Sequence, residues 1–176
     1  LDAISAGLDP WVRKTGRAPE VVVEPGRAIV GPAVKLLATV VSTKRVVRGR
    51  RVVLLDAGVN LVPSAYWFKH PVRLTAPACG PLEDVFLGGP LCMQIDCLHK
   101  DVPLPRLERG DCLVIDEVGA YCWSQSMQFI FPRGGVAWAE DGRAWLVREP
   151  EVPQDLRGLD RVPERLRMFE PATEGA

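Results

Sequence analysis

At 176 residues, 47% of them hydrophobic and 25% charged, the chain is long enough for one domain with a real core and too short for two ordinary ones. Lysine plus arginine equals aspartate plus glutamate at 22 each, so no net field recruits nucleic acid or an anionic membrane. The apolar runs are strand-length and broken by Lys, Arg, Gly or Pro, which argues against a signal peptide or a membrane span and for a cytoplasmic protein.

Five cysteines, at 79, 92, 97, 112 and 122, are odd in number and form no CxxC pair, so reduced thiols are expected and no metal site. His70 and His99 stand far apart; both read as surface residues, His99 in the charged loop His99-Lys100-Asp101.

Residues 1–20 read as the end of a helix and a polar connection, with Pro10 and Gly16 as breakers. Val21-Val22-Val23 reads as a short parallel strand buried on both faces. It stops at Glu24-Pro25-Gly26-Arg27, a carboxylate, a glycine and an arginine where α/β folds place their ligands. Arg27 offers a planar cationic fork for phosphate, and Glu24 an anion for a protonated ring nitrogen.

Beyond this point the texture becomes that of a sheet. Residues 33–47 read as one long strand, helical in part at its start, followed by strands over 50–56, 72–76, 85–87 and 111–116. The adjacent Tyr66, Trp67 and Phe68 suit a core or a subunit interface. Asp141-Gly142 suits a type I′ turn in a hairpin over 135–148. From 150 onward the chain is proline-rich and charged, a tail ordered only where it docks, with at most a short helix over 163–169.

One stretch stands out from this background. Residues 85–98 run an apolar strand into Gly88-Gly89-Pro90 and deliver Cys92 directly after the turn, with Asp96 inside an otherwise apolar run. A cysteine there is presented rather than buried, as a reactive thiol must be.

Glu24-Pro25-Gly26-Arg27, Asp56-Ala57-Gly58-Val59-Asn60, Gly89-Pro90-Leu91-Cys92 with Asp96, and Gly119-Ala120-Tyr121 preceded by Gly110-Asp111 fall in one order over roughly residues 10–149. Together they resemble the C-terminal portion of the fold-type III pyridoxal-phosphate-dependent decarboxylases, the group that includes the ornithine, arginine and diaminopimelate enzymes. The resemblance implies a mainly β fold, in which an antiparallel β-barrel or sandwich (33–149) follows the last β/α element of a (β/α)8 barrel (1–32) and precedes the tail (150–176). It implies pyridoxal 5′-phosphate as cofactor, bound by Glu24 at the pyridine nitrogen and by Gly26, Arg27 and Tyr121 at the phosphate. Cys92 would cross a homodimer interface to protonate the carbanion left when carbon dioxide departs, work that suits thiols as a class because they can both donate a proton and be reloaded.

Asp56 and Met93 would lie near the substrate. The family's ornithine and diaminopimelate members place an acidic residue where Met93 stands, and the diaminopimelate members an arginine within the segment corresponding to 60–66, which has none here. These departures favour a modified or carrier-linked amino acid as substrate, with diaminopimelate as the alternative. None of the lysines, at 14, 35, 44, 69 and 100, matches the family's Schiff-base lysine. The expectation is therefore a domain that needs the missing barrel portion for activity. The other reading is a non-catalytic dimerisation or regulatory relative, against which Glu24 and Cys92 both speak.

Overall fold

The computed structural model describes residues 2–46, 49–77 and 80–164. Six strands form the main sheet: β1 (Leu36–Arg45), β2 (Arg51–Leu55), β3 (Val72–Leu74), β4 (Glu83–Gly88), β5 (Cys97–Leu104) and β6 (Cys112–Ile115). Their order is β3-β6-β1-β2-β4-β5, and the sheet curls into a nearly closed barrel. Every pairing is antiparallel except β2 with β4, where Arg51 to Leu54 run beside Val85 to Gly88. A separate hairpin, β7 (Val136–Glu140) and β8 (Arg143–Arg148), follows.

The strands alternate as a sheet with one buried face requires. Val53 and Leu55 of β2 and Val85 and Leu87 of β4 are fully buried and meet Val40, Leu98, Leu107, Leu113 and Ile115 in one cluster. Each such side chain contributes about 1.5–3 kcal/mol. β1 is the centre of the sheet and bends at a bulge between Val40 and Ser42. There the Val40 backbone turns to the tight turn before β6, donating to the Asp111 carbonyl at 2.8 Å and accepting from Gly110 at 2.9 Å.

The long strand expected over 33–47 begins only at Leu36, because Gly31–Ala33 forms a 3₁₀ turn; Val47 lies outside the described residues. β5 corrects the sequence reading more sharply. His99, Lys100 and Asp101, expected as a loop, are strand, and their register slips between Val85↔Val102 and Leu87↔His99. The extra residue breaks the period-two pattern that would have announced the strand. His99 is accordingly half-buried rather than a surface residue, and burial, with Lys69 adding to it, lowers its pKa.

The N-terminal expectations change too. Helix α1 spans Asp2–Thr15 with Pro10 inside it, and only Gly16, at φ +68°, ends it. Val21–Val23 is not a buried strand: the segment has no regular structure and its valines are 47%, 79% and 52% exposed. A strand exists only when hydrogen-bonded neighbours complete it, and none of the described strands pairs here. Gly26–Val30 is instead a short helix, α2.

The hairpin forms as read, with Asp141 and Gly142 both at positive φ (+48° and +73°) and Trp138 opposite Trp145. Its strands are exposed almost throughout, and it is anchored at its base through Glu151. That carboxylate accepts the Arg133 N–H at 3.0 Å and the Gln128 amide at 2.7 Å and pairs with the Arg133 guanidinium at 3.0 Å. In the tail the described helix is α3 (Pro153–Arg157), earlier than expected; residues 165–169 of the expected one lie outside the described residues.

Candidate functional site

The Cys92 loop joins β4 to β5 and is built around a buried carboxylate. Asp96 is 7% exposed. Its Oδ2 accepts the Leu91 N–H at 2.6 Å and its Oδ1 the Val59 N–H at 2.9 Å. One oxygen thus holds the turn that carries Cys92, and the other holds the Asp56–Asn60 loop. The Asp96 backbone closes the same turn, donating to the Met93 carbonyl at 3.1 Å and accepting from Gly89 at 3.3 Å. Among the described residues Asp96 has no ion-pair partner, so oriented N–H dipoles alone compensate its burial.

Gly58 and Gly89 are required here by close approach. A Cβ on either would overlap the Asp96 carboxylate, and one on Gly89 would also strike the Gly58 Cα. Cys92 projects from this rigid base and is exposed, with Met93 half-buried beside it. Asp56 is exposed, but its Oδ1 accepts the Thr39 N–H at 2.7 Å while its own N–H donates to the Thr39 carbonyl at 3.0 Å. Its carboxylate therefore ties the loop to β1.

A second cluster forms around Arg27 on α2. Its guanidinium lies over Phe68, 4.3 Å from the ring centroid, and 5.4 Å from that of Tyr121. Arg27 Nη1 is buried and has no hydrogen-bond partner among the described residues. A buried guanidinium N–H without an acceptor costs about 1–3 kcal/mol or more, and an anion reaching this nitrogen would remove that cost. Tyr121 reaches this place because the Gly119 N–H donates to the Gly31 carbonyl at 3.0 Å; a Cβ on Gly119 would collide with the Val30 carbonyl. Tyr121 itself takes φ +63°, a conformation unusual for a bulky residue.

Beneath this cluster runs a polar chain that sequence reasoning missed. His70, expected at the surface, is 2% exposed, and Ser64 and Cys122 are 0% and 3%. His70 Nδ1 is 3.0 Å from the Asp116 carbonyl, which can only accept, so Nδ1 carries the hydrogen. Nε2 then accepts from the Ser64 hydroxyl at 2.7 Å, and Ser64 Oγ accepts the Cys122 thiol hydrogen at 3.0 Å. Burial lowers the His70 pKa, against the pull of the Asp116 carbonyl, and raises that of Cys122; both conditions suit this neutral chain. No spacing in the sequence announces it, since its members come from two distant stretches, 64–70 and 116–122.

The remaining candidates are not gathered with these. Glu24 is exposed in the irregular stretch before α2, and Gly26 opens α2 with nothing packed around its Cα. Tyr66 and Trp67 are exposed and line, with Phe68, Ile95 and His99, an open groove of ≈ 560 Å³ that includes neither Cys92 nor Arg27.

A buried, unpartnered guanidinium nitrogen beside two aromatic rings, and an exposed thiol held over a buried carboxylate in a loop of the curled sheet, define a sheet domain that presents a cation and a thiol. A family described as the pyridoxal-dependent decarboxylase, C-terminal sheet domain, matches residues 27–119, and the chain belongs to that family. It is 37% identical over 144 residues to the diaminopimelate decarboxylase of Helicobacter pylori, covering 80% of this chain and 35% of that protein. It is 41% identical over 142 residues to the diaminopimelate decarboxylase of Deinococcus radiodurans, covering 78% and 36%. The structure of the M. jannaschii diaminopimelate decarboxylase in co-complex with L-lysine superposes with a TM-score of 0.74 at 29% identity, over 92% of this chain and 37% of that one. The chain thus spans about a third of the length of the relatives it matches.

Proposed function

We propose that this chain is the C-terminal part of a pyridoxal-phosphate-dependent amino-acid decarboxylase, in which residues 1–32 complete a (β/α)8 barrel and residues 33–149 form the sheet domain. The observation that carries the reading is Arg27, whose buried, unpartnered Nη1 between Phe68 and Tyr121 fits a phosphate monoester. The cofactor, when bound, supplies the electron sink for the pair left behind by the carboxylate. Arg27 holds its phosphate, Gly26 leaves room for the close approach and Tyr121 closes the cradle. Glu24 meets the pyridine nitrogen and keeps it protonated. The exposed valines at 21–23 suit burial against the further strands of such a barrel.

Cys92 delivers a proton to the substrate carbon once carbon dioxide has left, from across the interface of a homodimer whose sites are shared. The loop around Asp96 fixes where that sulfur stands, and general acid catalysis depends on this placement. Asp56, tied to Thr39, contributes the wall of the substrate site together with Met93.

Diaminopimelate is the substrate that the relatives' names favour. The half-buried Met93 and the absence of arginine between Asn60 and Tyr66 favour a second reading, a modified or carrier-linked amino acid without a free distal charge pair. Assaying full-length protein against diaminopimelate and Nε-substituted lysine precursors separates the two. In the same protein, Cys92→Ala lowers turnover by roughly 10²- to 10⁴-fold with cofactor still bound. Unchanged carbon dioxide release per bound cofactor would remove Cys92 from the mechanism.

A further inference from the structure

The buried chain Cys122–Ser64–His70 takes no part in the reaction just described, yet it touches both aromatic walls of the Arg27 cluster. Ser64 is its hub. The Ser64 carbonyl accepts the backbone N–H of Trp67 at 3.1 Å and of Phe68 at 2.8 Å, so it sets the backbone that carries the Phe68 ring. Its hydroxyl holds His70 on one side and Cys122 on the other. His70 stands edge-on to Phe68, with centroids 4.8 Å apart and planes at 78°. Cys122 is the immediate neighbour of Tyr121, whose positive φ requires firm support on both sides; Ala120 and Cys122 are both buried.

Three apolar side chains would fill this space without the desolvation cost that a hydroxyl, an imidazole and a thiol bring. What hydrogen bonds add is direction, because a buried polar group is stable only where its partners stand at the right distance and angle. We propose that Ser64, His70 and Cys122 are positioning residues that hold Phe68 and Tyr121 against the Arg27 guanidinium and so set the affinity of this site for a phosphate monoester. The inference rests on the functional reading above, because it takes the ligand of Arg27 to be the cofactor's phosphate.

The test uses the full-length protein freed of cofactor, with Ser64→Ala, Cys122→Ala and Cys122→Ser. The dissociation constants of pyridoxal phosphate and of pyridoxal, which lacks the phosphate, are measured by tryptophan fluorescence, together with the melting temperature. Ser64→Ala and Cys122→Ala are expected to weaken pyridoxal phosphate roughly tenfold, the scale of losing a partner that orients a ligating group, while pyridoxal changes little. Cys122→Ser keeps a donor to Ser64 and should bind as the unaltered protein does. Unchanged affinity in both alanine variants, equal loss for the two ligands, or a Cys122→Ser variant as weak as Cys122→Ala would overturn the proposal. Should Ser64→Ala fail to fold, the two Cys122 variants decide alone. If the unaltered protein bound pyridoxal no less tightly than its phosphate, the functional reading itself would fall, a different result from variants that fail to respond.

Discussion

The Asp96 loop and the Glu24 segment each carry a candidate side chain on the surface, Cys92 in one and Glu24 in the other, but they are held in opposite ways. Cys92 stands on a buried carboxylate that accepts N–H groups from two loops and leaves no room for a Cβ at Gly58 or Gly89. Glu24 follows three exposed valines and makes no hydrogen bond or ion pair among the described residues. The Cys92 loop is therefore self-supporting in the sheet domain, whereas the Glu24 segment has no such support among the described residues.

That difference is open to mutation. Asp96→Ala should have the largest effect: it leaves the Leu91 and Val59 N–H groups buried without an acceptor, at about 1–3 kcal/mol each, and frees both loops. Urea unfolding should register the loss, and Cys92 should react faster and less uniformly with a thiol reagent. Wild-type stability in this variant would show that the carboxylate is not the hub. Next in size is Gly89→Ala, whose Cβ forces the carboxylate or the Gly58 backbone aside, at about 1–3 kcal/mol for an overpacked site; a melting temperature equal to wild type would contradict the close approach.

The hairpin anchor is expected to respond to acid. The Arg133 backbone N–H, followed by the Gln128 amide and the Arg133 guanidinium, holds the Glu151 carboxyl down to about 2, against an ordinary value of 4.5. A carboxyl depressed in the folded state stabilises above its unfolded pKa and loses that contribution as pH falls through its folded pKa. The emission of Trp138 and Trp145 should thus change between about pH 4.5 and 2, and Glu151→Gln should show the altered signal at neutral pH. An acid transition identical in Glu151→Gln would assign the change to another group.

The smallest effect is expected at Val22. Val22→Ser in the isolated chain should alter stability by no more than about 0.5 kcal/mol, as surface substitutions do. In the full-length protein the same change should cost more, because the valine is buried there if the barrel reading holds. Equal and negligible effects in both contexts would count against residues 1–32 as part of a barrel.

Much of the sheet was legible because its strands are short, β-branched and bounded by turn residues: β2, β4, β6 and the Asp141-Gly142 hairpin fall where alternation and turn chemistry place them. β5 was not, since its bulge displaces Lys100 and Asp101 from the alternating pattern. Pro10 misled because it stands in the interior of the exposed helix, where the turns close on either side of it despite the missing N–H, a cost of about 3 kcal/mol that proline usually imposes by ending a helix. Val21–Val23 misled because composition records an appetite for burial, not whether a neighbour is present to satisfy it.

By itself the sequence determined the order of the motifs, the exposed setting of Cys92 after Gly88-Gly89-Pro90, and the family, because each depends on residues adjacent in the chain. Tertiary structure alone decided that Asp96 serves two loops, that Arg27 lies between Phe68 and Tyr121, and that His70 is a buried neutral link between Asp116 and Ser64. Asp96 and Val59 are 37 residues apart, and Ser64 and Cys122 are 58. No local pattern encodes such contacts, because only the curl of the sheet brings the segments within hydrogen-bonding distance.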